Sequence, residues 1–157
     1  MPRRFLVPPL VALAVASALA LVPAAGAKTR VQTLRFYDKP VSIKVIHADG
    51  TVVARAPYPE MQPGDTLEVN SLLYRGDHRR HARRWIGSSQ LRCIFGTGEP
   101  ACESHVALAG SMLVFTGNPG VVSNGTGIYQ GATGRVISSK EAGDGAGDVV
   151  ARINVRS

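Results

Sequence analysis

From residue 28 onward, no stretch of a dozen residues places apolar side chains at three- and four-residue spacing without a glycine or proline interrupting it. A packed helix needs that spacing, so the chain has to bury its apolar side chains in strands. Strand patterns are plentiful. In VQTLRFYDKPVSIKVIHADG, residues 31–50, Leu34 and Phe36 alternate with polar residues, and Val41, Ile43 and Val45 do so again beyond Pro40. Proline offers no N–H to a sheet ladder and so marks a bulge or break, while Asp49-Gly50 supplies a tight turn into TVVARA. PYPEMQPGD, residues 57–65, reads as a loop, with Asp65 as a turn residue. TLEVNSLLYR then sets Leu67, Val69 and Leu73 on one side and Glu68 and Asn70 on the other. RWIGSSQLRCIF, ESHVALAGSMLVFTG, GIYQGATGRVISSK and DVVARINVR follow, each bounded by turn-forming residues. Seven or eight strands joined by short turns predict an antiparallel barrel or sandwich.

The first 27 residues follow a different logic. Arg3 and Arg4 precede an apolar run that ends in small residues, with Ala25 and Ala27 where a signal peptidase reads. This predicts a secretory signal peptide over 1–27 and a secreted domain over 28–157, long enough to bury one core. Pro8, Pro9 and Pro23 disfavour a membrane anchor, and the route of export stays open between the general and twin-arginine pathways. In an oxidising compartment Cys93 and Cys102, enclosing the turn-rich IFGTGEPA, are expected to form a disulfide at the base of a hairpin. Their spacing does not suit a redox pair, which wants two intervening residues at a helix start.

The formal charge is +7, falling to +5 once the signal is removed, and much of the excess sits in RGDHRRHARR, residues 75–84. Such a run is read first as a solvated loop. Arg79, Arg80, Arg83 and Arg84 could also meet an anionic cell-surface polymer. A metal site at His78 and His81 is disfavoured by the surrounding arginines, and nucleic acid by the absence of aromatic residues interleaved with the run. No metal or cofactor is expected.

NGTGIYQGATG, residues 124–134, raises the question of a phosphate cradle. A dinucleotide fold needs a helix after the glycines and an acidic residue on a second parallel strand. The short β-branched RVISSK follows instead, and no Gly-Lys-Ser/Thr is present. A turn at Asn124-Gly125 and a coiled, closely packed strand fit better, since small barrels need such points to close. At these residues NGTGIYQGATGRV resembles the GGTG-x-(Phe/Tyr)-x-x-A-x-G signature of allene oxide cyclase and dirigent-like barrels, with Asn124 in place of the first glycine. PGDTLEV, WIGSSQLRC and HVALAGSMLVFTG resemble other segments of that family in the same order, covering about residues 31–157.

The resemblance implies an all-β, eight-stranded antiparallel barrel of calycin-like kind with an apolar cavity open at one end, often assembled as a homo-oligomer. It also implies a small hydrophobic ligand that is isomerised, cyclised or stereochemically oriented. Such chemistry asks for a dry, shaped pocket and one or two acids, because the substrate is already reactive. A carboxyl within an apolar barrel has its pKa raised and can act as a general acid, which makes Glu68 and Asp38 the candidate catalytic residues. Asn70 and Tyr74 share the face of Glu68 and, with Tyr129 inside the signature, are the candidate ligand contacts. Alternation alone does not say which face of residues 66–74 points inward. Arg135 reads as a strand end, and neither GSS nor GSM has the pattern of a serine nucleophile. A non-catalytic carrier, or a module binding surface polymers through residues 75–84, is the alternative.

Overall fold

The computed structural model describes residues 28–156, so the signal-peptide reading of residues 1–27 lies outside the described residues. Strand β1 (Thr29–Ile46) leads through the Asp49-Gly50 turn to a two-residue β2 (Val52–Val53), and a loop then reaches β3 (Thr66–Gly76). The rest is a meander of β4 (His81–Ile94), β5 (Ala101–Leu108), β6 (Ser111–Thr116), β7 (Val121–Gly125), β8 (Thr133–Gly143) and β9 (Ala146–Arg156). Each pairs antiparallel with the next, and β9 returns to pair with β1 over Thr29 to Asp38. Eight strands therefore close into a ring, with β2 added beside the far end of β1. A closed sheet has no edge along its ring, which is how an all-β chain satisfies its backbone polar groups.

β1 serves three neighbours because it bends. Its ladder with β3 slips between Pro40 and Ser42, leaving Val41 as a bulged residue where proline has no N–H to give. The slip inverts the alternation. Phe36 and Asp38 face inward before it, Ile43 and Val45 after it, and Val41, expected to share the face of Ile43 and Val45, stays exposed.

Leu73, Leu113, Ala151, Ile153, Phe36 and Phe115 fill the core. Tyr129 joins them from a single 3-10 turn, Gly127–Tyr129, packed against β6 and β9. The Asn124-Gly125 pair is accordingly not a hairpin turn. It ends β7, and a Cβ at Gly125 would meet the carbonyl oxygen of Tyr129 at 2.2 Å. Residues 75–84 are likewise not a long loop: Arg75 and Gly76 end β3, His81 to Arg84 begin β4, and a tight turn joins them. Asp77 caps that turn, accepting from the N–H groups of Arg79 (2.9 Å) and Arg80 (2.8 Å).

Candidate functional site

Odd-numbered residues of β3 and, from Gly87 onward, of β4 face inward and even-numbered residues of β5 do the same, so Leu67, Val69, Leu91 and Val106 form apolar walls. They enclose a cavity of about 740 Å³ that opens between the loop before β3, which contributes Tyr58 and Met61, and the β6–β7 turn with Asn118 and Pro119. The volume suits one small organic molecule. Cys93 and Cys102 are direct cross-strand partners on the inner faces of β4 and β5 and form the expected disulfide, with Cys102 lining the cavity.

The carboxyl in this lining is that of Asp38. Ser89, 7% exposed, donates its Oγ hydrogen to Asp38 Oδ2 at 2.9 Å, and Ser71, 3% exposed, hydrogen-bonds the same carboxyl. Ser71 and Ser89 are cross-strand partners of β3 and β4, so the two hydroxyls sit side by side. Burial pushes the Asp38 pKa above the ordinary carboxylate value, and the two serines, by favouring the anion, offset only part of that rise. The result is a carboxyl able to hold a proton within an apolar cavity and to give it up to a ligand.

Glu68, Asn70 and Tyr74 are not brought into this cavity. They occupy the opposite face of β3, because Leu67, Val69, Ser71 and Leu73 take the inward positions. Glu68 instead approaches its cross-strand neighbour Arg92 (3.9 Å) on the outside. Tyr74 packs against Tyr37 and His81 (ring centres 6.2 and 5.3 Å). Tyr129 is buried at the other end of the barrel, away from Asp38. The arginine-rich hairpin folds over the outer surface, where the main-chain N–H of His78 donates to Asp148 at 2.7 Å and its ring nitrogen meets the other carboxylate oxygen. Among the described residues, no cluster of His, Cys, Asp and Glu is arranged to hold a metal ion.

Sequence reasoning missed Ser71 and Ser89, although each left a signal: a polar residue at an inward position of an otherwise apolar alternation. It also missed what Asp65 does beyond ending a turn. Its carboxylate, 2% exposed, accepts from the N–H groups of Gln62 (2.8 Å) and Ala48 (3.3 Å) and from His47 Nδ1 (3.2 Å). Led by the Gln62 bond, these contacts hold its pKa below the ordinary value and tie the loop at the cavity mouth to the β1–β2 turn.

A closed antiparallel barrel with a deep apolar cavity at one end defines a dirigent-like fold, and solved structures share it. A pyocyanin demethylase superposes with a TM-score of 0.58 at 15% identity, over 78% of this chain and 99% of that one. The pterocarpan synthase dirigent protein GePTS1 gives 0.55 at 17% identity, over 82% and 89% of the two chains. The pterocarpan synthase dirigent protein PsPTS1 gives 0.51 at 16%, over 82% and 95%. No protein-family model matches the chain, and no curated protein matches it.

Proposed function

We propose that this protein is a secreted dirigent-type barrel that takes a small, largely apolar molecule into the Asp38 cavity, where Asp38 acts as a general acid to cyclise, isomerise or orient it. The supporting observation is a carboxyl with a raised pKa, held by Ser71 and Ser89 inside an apolar cavity. The fold neighbours include proteins named for acting on, or making, a small organic molecule. The cross-strand disulfide is compatible with an extracellular protein.

In this reading a reactive carbonyl compound such as a quinone methide lies against Leu67, Val69, Leu91 and Val106. Asp38 gives its proton to the substrate oxygen, a pendant hydroxyl closes on the electrophilic carbon, and the proton released by that hydroxyl returns to the carboxylate. The walls select one face of the substrate, so the protein's contribution is orientation plus one proton.

Two measurements test this. The neutral dye N-phenyl-1-naphthylamine should bind with a rise in fluorescence, and Val69→Trp, which fills the cavity, should abolish that rise. A quinone methide bearing a pendant hydroxyl and generated in place should cyclise with an enantiomeric excess that Asp38→Asn removes, with a rate loss of roughly 10²–10⁴-fold. Racemic product from the native protein, or an excess that survives Asp38→Asn, would sink the catalytic role.

A second reading rests on Arg79, Arg80, Arg83 and Arg84. None of them makes an ion pair among the described residues. Exposed Trp85 lies beside them. On this reading the hairpin holds an anionic surface polymer while the cavity works. Replacing all four arginines by serine should elute the protein from immobilised heparin at markedly lower salt, and unchanged elution would dispose of the idea.

A further inference from the structure

A second cavity, of about 460 Å³, lies at the opposite end of the barrel, and Phe36 lines both cavities. It exists because β3 is too short to follow β1. Phe36 and Arg75 make the last pair of their ladder, and residues 29–35 of β1 continue with only β9 beside them. Leu34, Ile86 and Leu108 wall the gap.

Tyr129, Arg75 and Gln32 bring polar groups to it. Tyr129 is 3% exposed, and burial alone pushes its phenol pKa up, so it stays a hydrogen-bond donor. Its hydroxyl meets no partner among the described residues. Because no buried side-chain nitrogen or oxygen among the described residues is sealed without one, that hydroxyl is not sealed off, and Tyr129 lines this cavity. Arg75, the cross-strand partner of inward-facing Phe36, shares its face and makes no ion pair among the described residues. Gln32 pairs with fully buried Ile153 and so also faces in. The charged residues lining this space, Arg35 and Arg75, are both cations, and no carboxylate joins them.

We infer that this end of the barrel is a second ligand site, specific for a small amphiphile with a carboxylate head. The apolar tail lies against Leu34, Ile86 and Leu108, while the carboxylate accepts from the Arg75 guanidinium and the Tyr129 hydroxyl, with the Gln32 amide beside them. A guanidinium presents two parallel donors that match two carboxylate oxygens, and the largely apolar walls favour a hydrocarbon chain over a bare inorganic anion. The site is independent of Asp38, so neither reading depends on the other.

The test uses ¹⁵N-labelled protein titrated near neutral pH with sodium octanoate and, separately, with 1-octanol, which has the same chain length without the charge. Octanoate should shift the amides of Leu34, Ile86, Leu108 and Tyr129 and bind this end at least about ten-fold more tightly than octanol does. Arg75→Gln, at the exposed end of β3, should remove that advantage while leaving octanol binding unchanged. Tyr129→Phe keeps the ring and should weaken octanoate alone. The inference is overturned if these amides stay still, if octanoate shifts only residues around Asp38, if the two ligands bind this end equally, or if Arg75→Gln leaves octanoate affinity as it was.

Discussion

Asp38 carries a prediction that does not depend on knowing a substrate. Its pKa is raised in the folded protein, so the folded state binds more protons than the unfolded state between the ordinary carboxylate value of 3.8 and the raised one. Stability therefore falls as pH climbs through that window, so near neutral pH burying this carboxyl is a net cost. Asp38→Asn removes the charge and keeps an oxygen to accept from Ser71 and Ser89. It should raise the melting temperature at neutral pH, and the gain should shrink toward zero as pH falls below the ordinary carboxylate range. A melting curve showing the largest gain in acid would contradict the assignment. Asp38 was readable from the sequence as a carboxyl on a strand, but Glu68 was equally readable and faces out. The difference lies in parity: one face of each strand is inward, and only the ring of neighbours decides which. Ser71 interrupts the apolar face of Leu67, Val69 and Leu73, so it held the answer in local form.

At the scale of elements, two glycines of residues 124–134, Gly125 and Gly134, seat neighbouring backbone. Gly134 opens β8 at φ +145, and a Cβ there would lie 2.3 Å from the carbonyl oxygen of Arg152 on β9. Both the backbone conformation and the contact exclude a side chain. Gly134→Ala should cost about 2–3 kcal/mol in denaturant unfolding, and a loss below about 0.5 kcal/mol would show that β8 does not need this approach. The glycine stretch thus spoke correctly for a barrel, because close packing of strands is a local demand with a local composition. The 3-10 turn that carries Tyr129 was not legible: its three residues are held by contacts with β6 and β9, which no spacing within GIY announces. The extent of the arginine hairpin was misjudged for a related reason, since charge conceals alternation when both faces of a strand meet solvent.

For the whole molecule, closure was legible as a count of strands, while the unevenness of the ring was not. β1 and β3 share ten paired positions and β4 and β5 share eight, whereas β7 and β8 meet in a single pair, Val121 with Arg135, supported by Val136 donating its N–H to Gly120 at 2.8 Å. This thin seam borders the Asp38 cavity, which Gly120 and Val136 both line. Segments joined by few hydrogen bonds open locally at free energies well below that of global unfolding. The amide of Val136 should therefore exchange with solvent at least about a hundred-fold faster than that of Leu73, whose strand is paired on both sides. The disulfide separates the two kinds of opening. Cys93–Cys102 spans the β4–β5 ladder rather than the seam, and it constrains the unfolded chain more than any local excursion at β7 and β8. Replacing both cysteines by alanine should lower global stability by about 2–3 kcal/mol and speed exchange at Leu73 accordingly, while Val136 keeps its rate. If Val136 instead accelerates in step with Leu73, the seam opens only when the whole barrel does. The proposed ligand would then have to enter past Tyr58 and Met61 at the mouth rather than through the wall.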